Sequence, residues 1–447
     1  MDAIVSIICK RTVVSTKPVQ PGKYFPLSVL DRYMENNHIR MVYYYKTSGE
    51  GELGELTKKL RESLSEMLNH FPIVTGRLVR DEREHWMVKC NDAGVRMVEA
   101  KAKGSVEGWL KSVDREKELM LVFWEGMLHK TYYWSTFYVQ LTEFEEGGLA
   151  IGLSCTHLLA DPTCATRFMK AWAEISLGKK MIVPPTFHSL PSRSPGNKRP
   201  NNNPYMELIN HYKSSIEKSI SVLKEERYTT ISLGFSDHMV QACISMAQTT
   251  GPSSRTPTPF EALSSLFWVT LSKIKRLRNG LIDMSICLDV RKALSLDHGF
   301  FGNCMLYNKV HIEGNLGESN KFSQAASAIR DVMAKMDTEG IMDLIEWFEN
   351  NGVNSPTMMN GHDLVIASLE GVDPYLAVFH QDWLKPLRVS YYIKPVLGEG
   401  QVLILSAPHE EGPLGRVAMV TLKEEEALML CEDELILQLS PTIFMKD

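Results

Sequence analysis

Along the chain, apolar positions form alternating and helix-spaced runs that glycine and proline separate. After Gly147-Gly148, the run Leu149-Ala150-Ile151-Gly152-Leu153-Ser154-Cys155-Thr156 reads as a buried strand following a glycine turn. Pro162 then suits the first position of a helix, and Asp161 before it is a favoured N-cap residue. Ala165, Phe168, Met169, Trp172 and Ile175 recur at helical spacing, and Gly178 supplies the stop. Residues 56–68 are amphipathic at the helical period, while 86–89, 95–99, 137–142, 229–235 and 284–288 read as strands. Ser236 is placed to cap a helix, and Thr258-Pro259-Phe260-Glu261 is a capping box opening another helix through Trp268. Residues 1–9 read as a first strand: the apolar run is short, Asp2 comes early and no small-residue cleavage site follows.

One stretch has no such pattern. Pro184-Pro185, Pro191, Pro195, Gly196, Pro200 and the asparagines 201–203 leave few residues able to join a core, and Lys198 and Arg199 add charge. With 447 residues, the chain is long enough for two cores. The expected organisation is an N-terminal domain over 1–183, a linker over 184–215 and a C-terminal domain over 216–447, each mixing strands and helices. Hydrophobic content of 44% and charged content of 23% are those of a soluble globular protein. A formal net charge of -5 gives no global attraction to nucleic acid or to an anionic membrane. No run approaches the length needed to span a bilayer. The eight cysteines are scattered without a C-x-x-C pair, mostly among apolar neighbours, so reduced thiols in the cytoplasm are expected.

The candidate chemistry centres on His157-Leu158-Leu159-Ala160-Asp161. A residue before proline avoids helical angles, so Asp161 does not share a helix with His157. A metal pair on one helical face is thereby excluded. A histidine at a strand's end suits a general base, the bland alternative being a satisfied core residue. Asp161 is expected to face backbone amides or a cation. Asp289-Val290-Arg291 follows the apolar run 284–288; Arg291 is either a surface residue at a strand end or a buried cation, which needs an anion. Lys273, Lys275, Arg276 and Arg278 end the helix that starts near Thr258. They either complement its dipole or meet phosphates. A rival nucleophile at Cys155, two residues before His157, lacks any accompanying oxyanion or G-x-S-x-G motif. Neither G-x-x-x-x-G-K-[ST] nor G-x-G-x-x-G occurs, and no basic stripe with interleaved aromatics suggests nucleic acid.

Taken in order, Ser28-Val29-Leu30-Asp31, Phe71-Pro72-Ile73-Val74-Thr75-Gly76-Arg77-Leu78, the His157–Asp161 motif, Asp289-Val290-Arg291 and Phe301-Gly302-Asn303 resemble the plant BAHD acyltransferases over nearly the whole length. The resemblance implies an α/β (mixed α+β) fold of two chloramphenicol-acetyltransferase-like domains, joined by a crossover loop, with a channel between them. It implies transfer of an acyl group from acyl-CoA, a co-substrate rather than a permanently bound cofactor, to a small-molecule alcohol or amine. It implies His157 as the base, with no covalent enzyme intermediate, and Asp161 pairing with Arg291 to shape the site. It also implies phosphate contacts from among Lys273, Lys275, Arg276 and Arg278, and a monomer.

Two departures stand out. Pro162 follows the aspartate where the family has glycine. Phe379-His380-Gln381-Asp382-Trp383-Leu384-Lys385-Pro386 stands where it has D-F-G-W-G, keeping Trp383 as a structural residue at the site and the trailing Lys-Pro. Lost glycines imply altered backbone geometry. The eceriferum and Glossy-type subgroup shows the same kind of erosion, and Cys90-Asn91-Asp92-Ala93-Gly94-Val95-Arg96 is similar to it. That similarity implies a second expectation: a non-catalytic partner of a fatty-acid condensing enzyme in very-long-chain elongation for cuticular wax, with docking at the endoplasmic reticulum.

Overall fold

A computed structural model describes residues 4–17, 22–47, 53–127, 131–192, 208–213, 228–248, 255–275, 281–312, 320–351, 364–380 and 385–445. Two large sheets and a small one organise them. Across the six-stranded sheet the order is Val5–Val13, Val95–Ala102, Phe137–Phe144, Leu149–Thr156, His38–Tyr45 and Arg388–Lys394. Across the seven-stranded sheet it is Met305–Val310, Met284–Asp289, Leu364–Ser368, Gln401–Ser406, Arg416–Lys423, Tyr228–Phe235 and Thr442–Met445. Tyr24–Pro26, Trp86–Lys89 and Arg77–Arg80 make the third sheet.

Leu149–Thr156 is buried at every position, because it lies inside its sheet and both faces are covered. The positive φ of Gly147 and Gly148 makes the turn that feeds it. At Gly152 a Cβ would run into the Leu121 carbonyl, so the covering segment lies directly on the strand. The helix Pro162–Ser176 starts with Pro162 in its first turn, and Asp161 caps it by accepting from the Cys164 amide. It packs on Leu53–Met67, where the Trp172 indole donates to the Leu60 carbonyl at 3.1 Å. The helix opened by the Thr258–Glu261 capping box runs over Pro259–Lys275, past the expected end at Trp268, because Leu271 extends the buried stripe and Ser272 bonds back to the Trp268 carbonyl. Ser236 occupies an N-cap position without a side-chain cap bond, and Asp237 after it accepts the Leu414 amide at 2.9 Å.

Sequence order and sheet membership part company at one strand. Arg388–Lys394, far along the chain, pairs antiparallel with His38–Tyr45 and completes the first sheet. Arg388 there donates to buried Glu118 at 2.6 Å, a carboxylate that also receives Tyr44, Ser390 and Tyr392. A single apolar cluster crosses between the halves, joining Phe71 and Phe168 to Phe301, Phe348 and Phe379. A second one fills the seven-stranded sheet around Phe267, Ile286 and Ile404.

Candidate functional site

His157 follows the end of Leu149–Thr156, fully buried, and its amide donates to the Asn37 carbonyl at 2.9 Å. Its Nδ1 lies 2.7 Å from Asn303 Oδ1. The proton on that contact is settled by Asn303's other bonds. Asn303 Nδ2 donates to Asp31 Oδ1 at 2.8 Å and to the His157 carbonyl at 2.6 Å. Both partners only accept, so the amide nitrogen faces them and the oxygen faces the ring. His157 must therefore donate from Nδ1, which leaves the lone pair on Nε2. Among the described residues, buried Nε2 has no hydrogen-bond partner. Burial disfavours the imidazolium and holds His157 below its usual range, despite the opposing pull of Asp161 and Asn303. It is a neutral base with its free electron pair already oriented.

Asp31 anchors this arrangement from the start of the chain. Its Oδ1 accepts the Asn303 amide at 2.8 Å, and its Oδ2 accepts the Ser28 amide and hydroxyl at 2.8 and 2.7 Å. Burial raises the Asp31 carboxyl above the ordinary range against those donors. The pieces of three distant segments, Ser28–Asp31, His157 and Asn303, thus meet in one chain of hydrogen bonds.

Asp161 and Arg291 also come together, 2.8 Å apart and both buried. Asp161 accepts the Cys164 amide at 2.9 Å and the Cys304 amide at 3.0 Å, so it faces backbone amides and a cation at once. Burial alone would raise its carboxyl; Arg291 and those amides outweigh it and hold the group below the usual range. Arg291 further donates to Asp289 at 2.7 Å and to the Gly302 carbonyl at 2.6 Å. The guanidinium therefore grips the turn that carries Asn303. Burial pushes the Cys155 thiol far up, which leaves it no thiolate for nucleophilic attack near neutral pH.

The basic helix end is occupied differently. Lys275, its side chain buried, contacts both Glu426 oxygens at 2.9 Å and donates to the Glu399 carbonyl at 3.1 Å. Lys273 is exposed, 3.2 Å from Asp433. Arg276, Arg278 and Trp383 lie outside the described residues. Asn303 and Asp31, which hold the histidine, were visible beforehand only as parts of recurring motifs; the S-x-x-D spacing of Ser28 and Asp31 is the one signal with a mechanism, a capping box. Among the described residues no group of three His, Cys, Asp or Glu side chains is placed to hold a metal, and no helix is long and apolar enough to cross a membrane.

Residues 3–434 match the family described as Transferase. Protein ECERIFERUM 26 of Arabidopsis thaliana is 24% identical, over 93% of this chain and 92% of its own. Rosmarinate synthase of Plectranthus scutellarioides is 26% identical over 90% of this chain and 93% of its own. The crystal structure of vinorine synthase superposes with a TM-score of 0.72 at 19% identity, covering 99% of this chain and all 100% of that one. The F. sporotrichioides TRI101 structure, complexed with coenzyme A and T-2, gives 0.70 at 16% identity over 95% of this chain and 100% of its own.

Proposed function

Because the chain belongs to the Transferase family, the BAHD acyltransferases, we propose that it moves an acyl group from a coenzyme A thioester to a hydroxyl or amine, with His157 as general base. The observation that carries this reading is the buried Nε2 of His157, unpartnered among the described residues and left basic by the Nδ1 contact with Asn303. An acceptor O–H or N–H gives its proton to that nitrogen while its oxygen or nitrogen attacks the thioester carbonyl. The C–S bond then breaks, and the imidazolium returns the proton to the departing thiolate. Asp161 and Arg291 hold the strand end and the Asn303 turn in register and take no proton. Trp383 is assigned a structural place at the site. Lys273, Lys275, Arg276 and Arg278 are assigned to the phosphates, Lys275 exchanging part of its Glu426 contact for them. The coenzyme A in the TRI101 complex supports the donor class. The scattered cysteines, without a C-x-x-C pair and mostly among apolar neighbours, fit a reducing compartment, the cytoplasm, where we place the protein as a monomer.

A second reading, a non-catalytic partner of a fatty-acid condensing enzyme in wax elongation at the endoplasmic reticulum, is favoured by the likeness to Protein ECERIFERUM 26 and by the missing glycines in 379–386. One experiment separates the two. The purified protein is incubated with a panel of acyl-CoA donors and alcohol or amine acceptors, and released coenzyme A is measured. His157→Ala is expected to lower turnover by roughly 10²–10⁴-fold with acyl-CoA affinity nearly intact, and His157→Asn similarly. Should His157→Ala support very-long-chain elongation as fully as wild type beside a condensing enzyme, with neither form releasing coenzyme A, the second reading replaces the first.

A further inference from the structure

Three basic side chains share one face of the six-stranded sheet, close to the histidine but outside the reaction described above. His38 and Arg40 are two apart on His38–Tyr45 and so point the same way. Lys394 pairs directly with His38 across the adjoining strand, and Tyr392 with Arg40, which puts Lys394 diagonally beside Arg40. Arg115 reaches the same place from its own helix, one guanidinium nitrogen donating to the Tyr228 carbonyl at 2.6 Å. Thr156, the residue before His157, is the neighbour of His38 on the other side.

We propose that His38, Arg40 and Lys394, with Arg115 behind them, form a binding site for an oxyanion, a phosphate or carboxylate group. Among the described residues, the Nε of Arg40 and the Nε2 of His38 are buried without a hydrogen-bond partner. Among the described residues no acidic group reaches Arg40, and exposed Glu116 is the acidic group that offsets the repulsion at Lys394. Glu118, under the same sheet face, is already taken up by Tyr44, Arg388, Ser390 and Tyr392. The ring of His38 is stacked on Trp124 at 4.5 Å and 10°, so its free edge is oriented by packing.

Half-burying Arg40 and Lys394 beside each other is costly, because among the described residues neither makes an ion pair and neither is fully exposed. The titration behaviour follows. Burial and the neighbouring arginines push Lys394 down to about 7, burial and Arg115 push Arg40 down to about 10, and burial with Arg40, Lys394 and His157 pushes His38 down to about 3. An oxyanion placed among them would answer each of these penalties through charge-assisted hydrogen bonds. Arg40 offers a fork and Lys394 a point charge, a combination suited to a group with several acceptor oxygens. The proposal does not depend on acyl transfer.

Binding of pyrophosphate and of citrate to the full-length protein tests it, by titration calorimetry against sodium chloride of matched ionic strength. Saturable binding of one equivalent is expected, weakened at least about tenfold in Arg40→Met and in Lys394→Met, since each loses a charge-assisted contact. In chloride alone both variants are expected to melt no lower than wild type, because each relieves the repulsion between Arg40 and Lys394. Should Lys394→Met fail to fold, Lys394→Gln and Arg40→Met carry the comparison. A preference for pyrophosphate assigns the site to a phosphate ester, and a preference for citrate to a carboxylate-bearing ligand. Absence of saturable binding, or equal affinity in wild type and both variants, overturns the proposal.

Discussion

At His157 the decisive quantity is where the ring protons sit. Burial outweighs the contacts that favour the imidazolium, so the group titrates below the ordinary 6.5. For the proposed general base the active form is the neutral one, present above that pKa and lost as pH falls through it. The acid limb of kcat/KM is therefore expected below about pH 6.5, with a flat plateau through neutrality. A limb at pH 7 or higher in steady-state profiles would contradict a histidine held neutral by burial. Asn303 fixes the tautomer, and Asn303→Leu removes the acceptor that keeps the proton on Nδ1. Turnover should fall between roughly tenfold and 10⁴-fold, the range set by misassigned tautomers in catalytic histidines, while acyl-CoA affinity stays near wild type. Equal losses in kcat and in affinity would instead mark Asn303 as a general support of the fold.

The strand Leu149–Thr156, the turn after it and the helix Pro162–Ser176 work as one element, and Asp161 joins it to the Arg291 loop. Asp161 caps the helix with one oxygen and takes Arg291 and the Cys304 amide with the other. Replacing either partner alone leaves a buried charge short of its counterion, at a cost of about 3–5 kcal/mol. The pair Asp161→Leu and Arg291→Met should then cost clearly less than the two single changes added together, read from denaturant melts. Strict additivity would mean that the two charges do not interact. The S-x-x-D and T-x-x-E boxes and the N-cap aspartate were legible in the sequence because a helix start is decided within about one turn. The partners of Asp161 were not, since two of them arrive from residues more than a hundred positions away.

At the scale of the whole molecule, the chain does not divide cleanly at its proline-rich stretch. The strand Arg388–Lys394 covers the His38–Tyr45 edge, and Glu118 takes three of its hydrogen bonds from that strand. A fragment of residues 1–183 would expose that edge and leave Glu118 buried with Tyr44 alone. It is expected to aggregate or to lack a cooperative thermal transition, as read by circular dichroism. A soluble fragment with a sharp melt would show that the borrowed strand is dispensable. The proline-rich composition led to the expectation of a linker over 184–215, of which 193–207 and 214–215 lie outside the described residues. It carried no sign of which sheet a strand two hundred residues later would join, because strand pairing depends on edges and not on sequence order.

The sequence by itself determined the local grammar: a buried strand after Gly147-Gly148, a capped helix after His157, the capping box at Thr258, and a set of spaced motifs whose order pointed to one family. Each of these depends on neighbours in the chain, through backbone angles and side-chain periodicity. Only the tertiary structure decided which nitrogen of His157 is basic, because that depends on Asn303 and, through it, on Asp31. It alone placed Lys275 against Glu426 and gathered His38, Arg40 and Lys394 on one face. Hydrogen-bond direction and charge balance are properties of groups brought together by folding, and nothing in their separate stretches of sequence records the partner each will meet.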